Sequence, residues 1–151
     1  MAILRRVVRR LFLSTLLITG CFFLTGCGDE KRLPTEPTTE PPADATFARV
    51  QAEVFTPKCA LSGCHTSPVS AAPEGLVLDQ GSAYDNIFLI RSKQRPNLFR
   101  IAPSDPENSY LVRKIFPFTD ITGEHMPQTG SITDAQRQLV KQWVAQGALR
   151  D

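Results

Sequence analysis

Residues 58–68 read KCALSGCHTSP, and the arrangement Cys59-x4-Cys64-His65 within it decides how the rest of the chain is read. Two cysteines with a histidine directly after the second form the ending of a covalent haem-attachment motif. There the two sulfurs make thioethers to the haem vinyl groups and the histidine lies under the iron as axial ligand. The usual motif has two intervening residues, within about one helical turn. Four intervening residues demand a looser loop, and Ser62 and Gly63 supply it, because glycine adopts conformations closed to other residues. Two other chemistries compete for the same side chains. A Cys59–Cys64 disulfide closes a small loop that forms readily in an oxidising compartment. A zinc ion takes cysteine and histidine ligands, but C-x4-C-H matches no recognised finger layout.

Haem iron usually carries a second axial ligand, and the chain offers few. Apart from Met1 its single methionine is Met126, and its only histidine besides His65 is the adjacent His125, both in GEHMPQTG at 123–130. Neighbouring side chains on extended backbone point to opposite sides, and Pro127 biases Met126 towards extended geometry, so one of the two reaches an iron. Met126 is the expected distal ligand, with His125 as the alternative; thioether ligation raises the reduction potential relative to a second imidazole.

Around these residues the periodicity is helical. Phe47, Val50, Val54 and Phe55 recur at helical spacing, and the run is expected to stop before Pro57, delivering the chain to Cys59. Ser82 with Asp85 suggests a short helix over GSAYDNIFLI. Asp105 and Pro106 suit the cap and first position of a helix carrying Leu111, Val112, Ile115 and Phe116 on one stripe. In the last segment Thr133 and Gln136 form a capping box, Leu139, Val140, Trp143 and Val144 a buried face, and Gly147 a left-handed stop. GLVLD at 75–79 suggests one short extended piece. Trp143, Tyr110 and Phe99 are expected to be core. No phosphate-cradling glycine loop or serine-nucleophile elbow occurs, which leaves nucleotide chemistry and acyl transfer without support.

Before the domain, four arginines (Arg5, Arg6, Arg9, Arg10) precede an apolar run, Leu11 to Leu24, the layout of an export signal. Ser14, Thr15, Thr19 and Gly20 interrupt a run already shorter than the ~20 residues that a membrane span needs. Leu24-Thr25-Gly26-Cys27 resembles the lipobox of bacterial lipoproteins, which implies cleavage after residue 26 and lipidation of Cys27. Several acyl chains there would anchor the protein firmly to a membrane. Residues 28–45, with Pro34, Pro37, Pro41 and Pro42, read as a semi-rigid spacer. The organisation expected is a signal over 1–26, an anchor and linker over 27–45, and a domain over 46–151.

The 151 residues carry 17 Lys and Arg against 15 Asp and Glu, a net +2, so no global field points to nucleic acid. The one basic cluster, Arg91, Lys93, Arg95 and Arg100, reads as a solvated loop, with an acidic partner or haem propionates as the sharper alternative.

Taken in order, FTPKCALSGCH, GLVLD, APSDPENSYLVRKI and HMPQTGSITDAQRQLVKQWVAQGA resemble the class I cytochrome c domain, in particular the small planctomycete-type version of bacterial secreted proteins and lipoproteins. The likeness spans residues 47–148 and departs from the family at the C-x4-C-H spacing. It implies an all-α fold with irregular loops around one covalently attached haem c, with Cys59 and Cys64 as thioether sites, His65 as proximal ligand and Met126 as distal ligand. The function implied is electron transfer in the bacterial cell envelope, by a monomer tethered to a membrane with its domain in the periplasm or outside, exchanging electrons with redox partner proteins. A haem-free, disulfide-stapled interaction module and a peroxidase-like haem are the alternatives.

Overall fold

The computed structural model describes residues 44–151. The expected export signal, Cys27 and most of the expected linker lie outside the described residues. The described residues form an all-α domain without strands; only isolated bridges occur, at Phe88–Ile101, Arg91–Phe99 and Phe99–Ser109. None of its helices is long and apolar enough to cross a membrane.

Helix α1, Phe47–Val50, is capped by Thr46, whose hydroxyl accepts from the Arg49 N–H at 3.2 Å. It does not end before Pro57, as the periodicity suggests. The backbone passes at Gln51 into a π-helix, Gln51–Cys59, with Pro57 inside it. A proline at 57 takes away the N–H that the Glu53 carbonyl would receive in an α-helix. The side-chain amide of Gln136 supplies a donor to that carbonyl instead, at 2.8 Å. Wider winding thus carries the chain past a residue that stops an α-helix.

Helix α2, Ala83–Ile87, begins after Ser82 as expected, but the Ser82 side chain makes no capping bond, and Asp85 pairs with Arg150 at 2.8 Å. The expected single helix from Pro106 is two elements. Asp105 caps a 3₁₀ turn, Pro106–Asn108, accepting from the Asn108 N–H at 3.2 Å. Ser109 then turns extended, its hydroxyl donating to the Asp105 carbonyl at 2.9 Å and accepting from the Ala102 N–H at 2.8 Å, and α3 follows over Tyr110–Ile115. Bonds from Tyr110 N to Phe99 O (2.8 Å) and from Leu111 N to Arg100 O (3.0 Å) are what break the helix, since tertiary pairing captures the first N–H groups of α3.

Helix α4, Asp134–Ala145, follows its sequence signals closely. Thr133 and Gln136 form the capping box, and Leu139, Val140, Trp143 and Val144 are buried. Gly147 takes φ +105°, and bonds from Gly147 N to Val144 O and from Ala148 N to Trp143 O close the helix in a Schellman motif. Replacing Thr133 with alanine is expected to lower stability by about 1 kcal/mol, read as a shift in the urea midpoint.

Packing joins the first and last helices. Phe47 lies 5.4 Å from the Trp143 ring and 5.2 Å from Tyr84, and Val50, Val54, Phe55, Val140 and Val144 complete a dry contact below them. The Trp143 indole N–H donates to the Leu149 carbonyl at 2.9 Å, as a buried indole requires. Ile87, Ile101 and Val112 extend the same core towards α2 and α3.

Candidate functional site

The π-helix ends at Cys59, and its last turn is closed by the Ala60 N–H on the Phe55 carbonyl at 2.8 Å, five residues back. The loop that follows is compact. Cys64 N–H donates to Leu61 O at 2.8 Å and His65 N–H to Cys59 O at 3.1 Å, so the chain returns to Cys59 before His65 leaves it. Gly63 takes φ +77° with open space where a Cβ would stand; the backbone, not crowding, requires glycine there. The two extra residues are therefore absorbed in a hydrogen-bonded turn. Cys59 and Cys64 are not joined to each other.

His65 is fixed on two sides by the GLVLD segment, which is not extended throughout, since Gly75 ends a 3₁₀ turn, Pro73–Gly75, at φ +61° before the extended Leu76, and which pairs with no strand. The Leu78 N–H donates to the His65 carbonyl at 2.8 Å, and the His65 Nδ1 lies 3.1 Å from the Leu76 carbonyl. A carbonyl partner places the ring proton on Nδ1 and leaves Nε2 with its lone pair. Burial pushes the imidazole pKa below its ordinary value, the Leu76 bond works against this, and the charges of Arg100 and Lys114 add to the lowering. The ring is thereby kept in the neutral form that a metal ligand needs.

Burial, followed by the nearby Cys64, pushes the Cys59 thiol up to about 11 from 9.0. At pH 8 that leaves about a hundredfold less thiolate than an ordinary cysteine has, and the thiolate is the reactive form. Iodoacetamide is thus expected to modify Cys59 in the folded, reduced protein far more slowly than in the same chain unfolded in urea. Equal rates in peptide mass analysis would contradict the burial described.

Met126 and its neighbour are separated by the fold. The Met126 N–H donates to the Lys114 carbonyl at 2.7 Å, and its half-buried side chain packs on the core. His125 is exposed. The loop before them is held by the buried Lys114, whose ammonium donates to the Thr122 carbonyl at 2.9 Å and also to that of Glu124.

Cys59, Cys64, His65 and Met126 all line one cavity of ≈ 300 Å³, at the lower end of the range for sites that enclose small organic molecules. His125 does not. Two buried cations are built into the wall: Arg100, from the basic cluster expected to be a solvated loop or to face an acidic partner or haem propionates, and Lys114, which sequence reasoning did not single out. Arg100 is 7 % exposed and donates to Asn86 O (2.8 Å), Asn86 Oδ1 (2.6 Å) and Glu74 O (2.8 Å); Lys114 is 8 % exposed. Among the described residues neither forms an ion pair with a carboxylate. The basic stretch is accordingly no uniform solvated loop: Arg91 lies 3.9 Å over the Phe99 ring while Arg100 turns inward. Nothing in the sequence marked Lys114, which stands beside the apolar stripe of α3.

The donor set fits a haem better than a bare ion. Among the described residues no three His, Cys, Asp or Glu side chains converge as a zinc site requires. A covalently attached haem would need no such convergence, since Cys59 and Cys64 would hold it through their sulfurs and His65 with Met126 could supply ligands to its iron. No protein-family model, curated protein or solved structure matches this chain.

Proposed function

We propose that this protein is a monohaem c-type cytochrome with a class I cytochrome c-like fold, an electron carrier tethered through lipid at Cys27 to a membrane of the bacterial cell envelope. The observation that carries the reading is that Met126, distant in sequence, meets Cys59, Cys64 and His65 of one short loop on a single cavity, all four being residue types sparse in the chain. Bound there, a haem c supplies reversible one-electron chemistry at its iron.

The chain's own residues do the rest. Cys59 and Cys64 hold the group covalently. His65, neutral and oriented by the Leu76 carbonyl, presents Nε2, and Met126 presents its sulfur from a loop fixed to α3. Phe55, Leu78 and Leu111 give the cavity apolar lining, and Lys58, Lys93, Arg100 and Lys114 share its wall with a single carboxylate, Glu74. That excess of positive charge suits the two propionates of a haem. Once the group is attached, no side chain in this set needs to act as nucleophile, general acid or general base, in keeping with electron transfer to and from redox partner proteins.

The direct test is the intact mass of protein matured in a host with a working haem-attachment system. A haem adduct that survives denaturation and organic extraction is expected; a colourless product with Cys59 joined to Cys64 would favour the interaction-module alternative. In the loaded protein, Met126→Ala is expected to change the ferric spectrum and lower the reduction potential, because a sulfur ligand that favours ferrous iron is lost. An unchanged spectrum would remove Met126 from the iron.

A further inference from the structure

Gln51 is the first residue of the π-helix and is 5 % exposed. Its side-chain amide nitrogen donates twice, to Thr56 Oγ1 at 3.0 Å and to the Leu78 carbonyl at 2.9 Å. The first of these bonds joins residues five apart. In an α-helix, at 3.6 residues per turn, such residues stand about 140° apart round the cylinder and do not meet. In an i→i+5 helix they lie about one turn above each other. A Gln51–Thr56 bond is therefore available to the π-helix and not to its α-helical competitor.

The second bond reaches the segment that orients His65. Leu78 donates its N–H to the His65 carbonyl, and Leu76, two residues earlier, holds the His65 Nδ1. One amide thus touches both devices that bring the motif to the cavity: the winding that carries Cys59 there and the extended strip that aims the imidazole. We infer that Gln51 is a positioning residue for the Cys59 sulfur and the His65 ring, holding the π-turn through Thr56 and the His65 strip through Leu78. This is the local device that lets a C-x4-C-H loop present its groups where a shorter motif would.

A purely stabilising role accounts less well for the geometry. The Gln51 Oε1 meets no donor among the described residues, so the amide is only partly used as a buried polar group. Gln51→Met, which keeps length and apolar bulk, exchanges that unmatched acceptor for an unmatched Leu78 carbonyl. Its melting temperature is expected to stay within about 5 °C of the parent. Thr56 is exposed, and Thr56→Val removes the π-specific bond alone with little effect on stability.

The positioning effect is read by nuclear magnetic resonance on the full chain, haem-free and with its thiols reduced. Under the inference, Gln51→Met speeds amide exchange at Ala60, the donor that closes the π-turn, by about tenfold, the change that loss of one hydrogen bond allows, and shifts the His65 ring resonances. Thr56→Val gives the Ala60 change and leaves His65 alone. Unchanged Ala60 exchange in both folded variants overturns the inference, as does a Gln51→Met that unfolds beside a silent Thr56→Val.

A second arm rests on the haem reading. Each thioether forms by addition of a cysteine S–H across a vinyl group, the sulfur bonding one carbon and the proton going to the other, with no external oxidant. Matured Gln51→Met is expected to contain haem-bearing chains in which Cys59 still takes an alkylating reagent, while parent chains take none. If the parent carries no haem, the haem reading fails and the resonance arm still decides the role of Gln51.

Discussion

Protein carrying Cys59→Ser and Cys64→Ser together is expected to emerge from a competent maturation host without any extraction-resistant haem, while the parent retains a full complement. A hydroxyl is smaller than a thiol and lacks its reactivity as a nucleophile, so the pair removes attachment with little change in packing. Both residues are half-buried in a loop closed by backbone bonds, Cys64 N to Leu61 O and His65 N to Cys59 O, which serine does not disturb. The folded state should therefore survive, and circular dichroism of the haem-free chains should match. Intact mass after acid denaturation is the measurement. A haem adduct persisting in the double variant would place the attachment elsewhere and remove the basis for reading C-x4-C-H as a haem site.

Trp143→Ala should give the largest loss of stability of any single change considered. The side chain is 1 % exposed, packs on Phe47, and donates its indole N–H to the Leu149 carbonyl. Truncation leaves a cavity where α1 meets α4 and an acceptor without its donor, for which about 3–5 kcal/mol is expected. A domain of this size has roughly 5–15 kcal/mol in total, so the variant should melt some 15 °C or more below the parent. Trp143 is the only tryptophan, so the unfolding must be followed by circular dichroism and not by fluorescence. A shift of only a few degrees would mean that the two helices do not depend on each other as described.

Where sequence reasoning succeeded, the signal was local. The α4 capping box, its buried stripe and Gly147 lie within one segment, and short-range sterics with amphipathic patterning decide such features before tertiary contacts form. It failed where a distant group supplied what the local chain lacked. Pro57 reads as a stop, but the backbone winds wider there and runs on to Cys59, with the Gln136 amide, 83 residues on, bonding the Glu53 carbonyl that an α-helix would leave without a donor. Pro106 to Phe116 reads as one helix, but the Phe99 and Arg100 carbonyls divide it at Ser109.

The site divides in the same way. Cys59, Cys64, His65 and Met126 were legible because chemistry-bearing residue types are rare in this chain and two of them keep a fixed distance from a histidine. Gln51 and Lys114 were not, because a glutamine or lysine in a list of residues says nothing of whether it will be buried. Arg100 was legible only as one member of a basic run, either solvated or facing an acidic group; its place in the wall follows from Asn86 and Glu74, which come to it only in the folded chain.

By itself the sequence determined the helical class of the domain, the limits and capping of its last helix, and the small set of residues able to carry chemistry. Only the tertiary structure decided that those residues share one cavity, that Met126 and not His125 faces it, and that buried cations stand in its wall. The reason is physical: periodicity, capping and residue type act over a turn or two of backbone. Burial, the pairing of a charge and the facing of a side chain depend on what the other end of the chain brings to them.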